Sequence, residues 1–343
     1  MTAPPMRAAV TGQDGGKRRG RKRRDEYQMV PDATFTSYYG RPVVRAAPWT
    51  ADIPAYLFLG GLAGGSSLLA AGAAATDRAA LRRTGRLGAL VAISASMFAL
   101  VHDLGKPSRF HHMLRVAKPT SPMSVGTWVL TAYGPMAGLA GAAELRPWLP
   151  RSLRDGFIGR LLGIAATPAG AAAALLAPAV ASYTAVLLAD TSTPSWHEAH
   201  RELPFVFVGS AAIAAGGLGM LGAPVSEAGP ARRLAVGGAL LELAAEHKME
   251  ASMGLAAEPL HKGKAGSLMR ASKALTALGA VGAAGLGGRS RVAAAVSGVA
   301  LLAGSACTRF GVFEAGQESA RDPKYTVVPQ RERLNARKGG TTA

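Results

Sequence analysis

The feature that most constrains this chain is a succession of segments about 20 residues long that are nearly free of charge; residues 53–75 and 203–222 carry no charged side chain at all. At 1.5 Å per residue, about 20 apolar residues in a helix cross the roughly 30 Å hydrocarbon layer of a bilayer. In such a solvent the backbone must satisfy its own hydrogen bonds, so a spanning segment is a helix or a strand of a closed barrel. No stretch alternates polar and apolar residues with period two, which removes the barrel. Scanning on this basis gives eight candidate spans, at 53–75, 86–104, 123–143, 158–188, 203–222, 231–255, 268–287 and 291–313. The expected fold class is all-α: a polytopic membrane protein, a bundle of eight transmembrane helices with both tails on the same side.

Composition agrees. Of 343 residues, 17% are charged and 49% hydrophobic, against about 25% charged in an average soluble protein. The single cysteine, Cys307, excludes an internal disulfide and any four-thiolate zinc or iron–sulfur site within this chain. The net charge of +18 lies in the tails and between the apolar runs rather than on one folded face, so no nucleic-acid partner is expected. Residues 1–48, with a basic run from Lys17 to Arg24, have no apolar stretch directly behind that run. They read as a retained, disordered basic tail rather than a signal peptide. The domain reading is therefore 1–48 tail, 49–314 transmembrane domain and 315–343 C-terminal tail.

Membrane lipid surrounds such a chain, and the cell membrane is its expected location. Lys and Arg in the short loops number ten on the tail side and twelve opposite, a balance from which the positive-inside rule yields no orientation. The tails are assigned to the cytoplasm only because a long basic leader is awkward to translocate. In the first span, Gly60, Gly61, Gly64 and Gly65 form overlapping G-x-x-x-G pairs that let a neighbouring backbone approach closely. The long fourth span contains Pro168 and Pro178, which predict a kink or tilt.

With eight spans, the starts of odd spans and the ends of even spans share one face of the membrane. That face gathers Asp52 and Tyr56 at the opening of span one, His102 and Asp103 at the close of span two, Tyr183 to Asp190 at the close of span four, and Arg309 near the end of span eight. Ionisable groups near hydrocarbon pair with one another or mark a ligand or proton site. For Asp103 a structural role stands beside the functional one: a helix-end cap or an ion pair with Arg309. For Tyr183 the bland alternative is a residue of the interfacial aromatic belt. In span six, Glu242, Glu246 and Glu250 at i, i+4 and i+8 form one carboxyl stripe, with His247 and Lys248 beside it. The stripe reads either as a proton route inside the bundle or, if the span begins higher, as an interfacial cluster. Haem ligation would need an axial pair such as His102 with His247, and no haem is expected. No metal site is expected.

Between spans two and three run His102-Asp103-Leu104-Gly105-Lys106-Pro107-Ser108-Arg109-Phe110 and Ser121-Pro122-Met123-Ser124-Val125-Gly126-Thr127-Trp128. This Pro, Gly and Ser chemistry specifies a shaped loop. Span four closes on Tyr183-Thr184-Ala185-Val186-Leu187-Leu188, followed by Thr191, Pro194 and Trp196, and Tyr56 to Gly65 reads Y-L-F-L-G-G-L-A-G-G. Together with the stretch from Arg309 to Pro329, these motifs over about residues 49–329 resemble the NrfD/PsrC family, the membrane subunits of polysulfide, nitrite and formate-type oxidoreductases. The resemblance implies an eight-helix fold without haem and a quinone site, for menaquinone or ubiquinone, near one membrane face. It also implies docking to a four-cluster ferredoxin-like iron–sulfur subunit beside a molybdopterin catalytic subunit. By the span-four motif Tyr183 would contact the quinone, and Asp103 falls on the acidic position ending span two. Where the polysulfide reductase presents Asn and His from its first span, this chain offers Asp52 and Tyr56. The function so implied is quinone/quinol binding and electron transfer in a larger complex, with Tyr183, Asp103 and His102 as reactive residues, Asp52, Tyr56 and Arg309 completing the site, and Glu242, Glu246, Glu250 and His247 as proton route. The competing class is an ion or solute transporter whose path uses the Glu stripe and a broken fourth helix. Transporters often carry internal repeats, and residues 49–188 and 203–313 share no evident self-similarity.

Overall fold

The computed structural model describes residues 42–339, and all regular structure among them is helical. Of the leader expected at 1–48, residues 1–41 lie outside the described residues. The eight long helices in the body of the chain are α1 (Asp52–Ala75), α2 (Ala79–His102), α3 (Pro122–Leu145), α4 (Phe157–Ala189), α5 (Leu203–Gly222), α6 (Gly229–Ser252), α7 (Gly263–Gly285) and α8 (Arg291–Arg321), followed by α9 (Lys324–Gly339). Most extend beyond the apolar windows. The second begins at Ala79 rather than 86, the seventh at Gly263 rather than 268, and α8 continues eight residues past 313. Hydropathy locates the apolar slab, whereas the helices run on through polar residues at both of its edges.

Five helices, α1, α2, α4, α5 and α8, are long and apolar enough to cross a membrane. The other three fall short for legible reasons. α6 carries Glu242, Glu246, Lys248 and Glu250, α7 carries Lys264, Arg270 and Lys273, and α3 dilutes its apolar residues with Gly, Tyr, Trp and Pro135. The protein is thus an all-helical, multi-pass membrane protein.

Successive helices pack as antiparallel hairpins. At the proximal end, where α1 begins, Thr50 and Asp52 meet His102 and Asp103 from the end of α2, and Glu202 ahead of α5 accepts from Ser252 at the end of α6. At the distal end, Glu227 in the α5–α6 turn accepts from the backbone N–H groups of Ala80 and Leu81 at 2.8 and 3.2 Å. There Arg291 donates to the last carbonyls of α5, at 2.6 Å to Met220 and 2.9 Å to Ala223, satisfying groups a helix end leaves open and complementing its dipole.

α1 and α5 are the inner helices, each with 67% of its apolar window buried. Small residues permit this. A Cβ on Gly65 would stand 2.6 Å from the Ala211 carbonyl oxygen and 2.8 Å from the Ala211–Ala215 surface of α5, so the two backbones touch where a side chain would hold them apart. α4 runs as one helix through Pro168 and Pro178. The two connections rich in Pro and Ser are both partly helical. Pro107–Arg115 forms a 3-10 helix with no buried residue, whereas Pro194–Glu198 buries Pro194, Ser195 and Trp196.

Replacing Gly65 by Ala should destabilise the bundle by about 1–3 kcal/mol through overpacking against a backbone that cannot yield. Gly72→Ala, where nothing lies within 4 Å, should not; melting of the two variants in detergent is the comparison. A second prediction concerns α9. Glu258, in the 3-10 turn Gly254–Leu260, bonds Lys262 and meets the Lys324 ammonium at 2.7 Å. These two cations hold its carboxyl well below the usual 4.5, at about 2. Because the folded value is depressed, the tie between this turn and the start of α9 is complete above about pH 4.5 and weakens as pH falls towards 2. Proteolysis near Lys324 should therefore rise between pH 4.5 and 3, using an acid-active protease, and a Glu258→Gln variant should show the raised rate at every pH.

Candidate functional site

Of the residues singled out at the proximal face, Tyr56, Asp103 and Tyr183 line one cavity of about 130 Å³ between α1, α2, α3 and α4. Tyr56 from α1 and Tyr183 from α4 both line it and both are buried, and their hydroxyls hydrogen-bond to each other. Ile53, Leu130 and Leu187 supply apolar walls. Gly126, in the Ser-Pro-Met-Ser-Val-Gly-Thr-Trp stretch, lies flat against the Tyr183 ring, and a methyl group there would collide with it. That close approach is the physical reason for a glycine at this position.

Asp103 lines the mouth of the same cavity. Its Oδ1 accepts from the Thr50 backbone N–H at 3.0 Å and from the Thr50 hydroxyl at 2.7 Å. Asp52 Oδ2 stands 2.7 Å from His102 Nδ1, on the solvent side, where the His102 side chain is 65% exposed. The Thr50 hydroxyl is 3.3 Å from that same Asp52 oxygen, so Thr50 links the two carboxylates. Asp52 and His102 thus sit outside the cavity proper, joined to it through Thr50 and Asp103.

Arg309 is placed differently from expectation. It does not pair with Asp103 and does not line the cavity. It is fully buried, donating from Nη2 to the Phe207 carbonyl at 2.6 Å, with its guanidinium carbon 3.7 Å from the Phe207 ring centroid. Nε and Nη1 have no partner among the described residues. Parity placed it on the correct end of the bundle but not on the correct side of α1.

Arg309 belongs instead with the α6 carboxyls, close enough to Glu242 for electrostatic attraction. Glu242 is fully buried, and its Oε1 accepts from Thr308 at 2.6 Å, while Ser272 lies 2.6 Å from the Thr308 hydroxyl. Glu246, one turn on, is 1% exposed with neither oxygen partnered among the described residues. Glu250 differs: Lys273 stands 2.6 Å away and His261 3.8 Å. His247 is exposed and faces away from the stripe. The four residues expected to act together therefore divide into a buried pair, a surface-linked member and an outsider.

Several contributors carried no sequence signal of their own. Thr50 is an ordinary residue ahead of a helix. Thr308, Ser272, Ser210 and Ser305 are small hydroxyl residues of a kind common in packed helices. Conversely, Trp196 of the span-four motif proves to be structural: its indole donates to the Val312 carbonyl at 2.8 Å, between Trp49 and Phe313 at ring separations of 5.7 and 5.6 Å. It ties the α4–α5 connection to α8 and closes the cavity from behind Trp49.

Residues 43–226 match the family described as Polysulphide reductase, NrfD. That is more than half of the chain, and the protein belongs to the NrfD family. No curated protein matches it. The matched stretch contains α1 to α5 and hence Asp52, Tyr56, His102, Asp103 and Tyr183, while Glu242, Glu246, Glu250 and Arg309 lie beyond it.

The Thr50 linkage generates a test. Thr50→Val removes the hydroxyl bond to Asp103 but keeps the backbone bond, so the bundle should stay folded while the Asp103 carboxylate loses about 1 kcal/mol of anchoring. Exchange broadening of the α2 end in NMR, or faster hydrogen exchange there, is the expected readout.

Proposed function

We propose that this chain is the quinone-reactive membrane subunit of a multi-subunit oxidoreductase, exchanging electrons between a docked iron–sulfur subunit and the quinone pool. The observation that carries the proposal is the pair of buried tyrosine hydroxyls, Tyr56 and Tyr183, facing an apolar cavity at the membrane edge. The cavity, about 130 Å³ and open at the Asp103 mouth, is slightly smaller than the roughly 150 Å³ that holds a benzene ring. A quinone head group would therefore seat one carbonyl edge between the tyrosines, with the rest of the ring in the mouth. In the hydrogen-bonded pair one O–H is used within the pair, which leaves the other free to donate to a carbonyl oxygen.

The quinone supplies reversible two-electron, two-proton chemistry when bound. Tyr183 orients it by donating to one carbonyl, with Tyr56 holding the Tyr183 hydroxyl in place. Leu130, Leu187 and Ile53 exclude water from the ring. Asp103 holds a proton-exchanging position at the mouth, and Thr50, Asp52 and the exposed His102 extend it to the aqueous side. Cys307 is the only thiol, so the electrons come through clusters of a partner, and the family pairing with a four-cluster iron–sulfur subunit and a molybdopterin subunit is the proposed assembly. Eight membrane crossings, with both chain ends at the proximal face and that face in the cytoplasm, complete the reading. Glu242 and Glu246 are proposed as a proton route, entered from the Glu250–Lys273 surface. The transporter reading loses its broken helix, because α4 is continuous through both prolines.

Tyr183→Phe keeps the ring and removes the donor. Quinol-linked turnover of the purified complex should fall on the order of tenfold while the subunit composition is unchanged. Tyr56→Phe should give a smaller loss. Full turnover in both variants would remove the tyrosine pair from the reaction.

A further inference from the structure

Away from the tyrosine cavity, an apolar groove of about 370 Å³ opens between α1, α4, α5 and α6. Its floor is made of small residues, among them Gly64, Ala177, Ala212 and Gly238, and Leu68 and Leu241 form its rims. Both leucines are well exposed, at 47% and 39%, so the groove opens sideways on the membrane-facing surface. The contact of Gly64 with Ala177 and Val180 seals it from the tyrosine cavity, which lies on the other side of the α1–α4 interface.

One charged residue lines it. Arg233, in the first turns of α6 at the distal end, is exposed and makes no hydrogen bond or ion pair with the described residues. Three of the carboxylates of that end are engaged elsewhere. Glu227 holds the start of α2, Glu144 is bonded to Arg82 and Arg86 at 2.8 and 3.0 Å, and Asp155 pairs with Arg154, which leaves Asp77 at the α1–α2 turn. Arg233 is thus an uncompensated guanidinium at a membrane edge, heading an apolar channel that descends to Leu241, about 12 Å along α6 at 1.5 Å per residue.

We propose that this groove is a binding site for an anionic glycerophospholipid, its phosphate on Arg233 and one acyl chain in the groove. A guanidinium offers paired donors that match phosphate oxygens. A volume of 370 Å³ lies within the range of ligand sites, about 300–1,000 Å³, and the walls carry no polar group that would favour water. The bound chain covers the exposed helix surface between Leu68 and Leu241. The site stands whether or not the tyrosine cavity takes a quinone.

The test uses the protein purified with its bound subunits in mild detergent, delipidated and then mixed with phosphatidylglycerol or phosphatidylcholine. Phosphatidylglycerol should raise the melting temperature more than phosphatidylcholine and should be retained in native mass spectra. Arg233→Gln should weaken phosphatidylglycerol binding about fivefold, the value of one basic side chain at an anionic surface, and Arg233→Lys should restore most of it. Gly237→Leu projects into open space, since nothing lies within 4 Å of that position. It should keep the fold and quinol-linked activity yet abolish lipid retention by filling the groove. Equal response to the two lipids, or retention unchanged in both Arg233→Gln and Gly237→Leu, would overturn the proposal. So would recovery of a quinone, or a helix of another subunit, crosslinked at position 237.

Discussion

The packing of this bundle depends on how closely α1 approaches its neighbours. Gly65 lets the α5 backbone at Ala211 come within reach of a missing Cβ, and in a solvent of hydrocarbon such close packing is what holds helices together, because burying leucine against leucine gains little over lipid. Gly61 uses the same absence differently. A Cβ there would stand 2.9 Å from Arg309 Nη2, so the glycine makes room for a buried guanidinium. Tyr56 and Gly61 are five residues apart, about 140° around a helix of 3.6 residues per turn. One helix therefore presents a hydroxyl to the tyrosine cavity and a bare backbone to Arg309, and it forms the partition between two polar regions.

That partition explains what was and was not legible in the sequence. The apolar runs located all eight long helices, and the alternation of helix direction put Asp52, Tyr56, His102, Asp103 and Tyr183 at one end, where Tyr56 bonds Tyr183, Asp52 bonds His102, and Thr50 bonds both Asp52 and Asp103. The same reasoning also placed Arg309 at that end and could not tell one side of α1 from the other. Direction along the membrane normal is written in the order of the spans, whereas position around the bundle axis depends on which helices pack together. Similarly, i, i+4 spacing aligned Glu242, Glu246 and Glu250 on one face of α6. Their different fates come from what packs beside them: Lys273 of α7 and His261 just ahead of that helix reach Glu250, whereas Glu242 and Glu246 are enclosed.

The two ends of the bundle solve the problem of charge differently. At the distal end arginines do structural work: Arg82 and Arg86 close on the nearly buried Glu144, and Arg291 caps α5. Removing one partner of such a buried set leaves a charge without compensation, which costs several times what an exposed pair contributes. At the proximal end, carboxylate contacts to hydroxyl, backbone and imidazole gather around Thr50, while Glu250 and Glu258 on the far side of the bundle pair with Lys273 and Lys324.

Membership in the NrfD family rests on residues 43–226, and this boundary falls at the α5–α6 turn, between the two polar regions. The tyrosine cavity is built wholly within the matched part, so what the family implies about a ligand near the membrane edge bears on residues this chain places together. The carboxyl pair of α6 and its Thr308 and Arg309 neighbours on α8 stand outside it. A role for them has to rest on their own geometry: three carboxyl oxygens and two guanidinium nitrogens without partners among the described residues, all buried. Unsatisfied polar atoms at that density are costly to bury, and stability alone would have replaced them with apolar side chains.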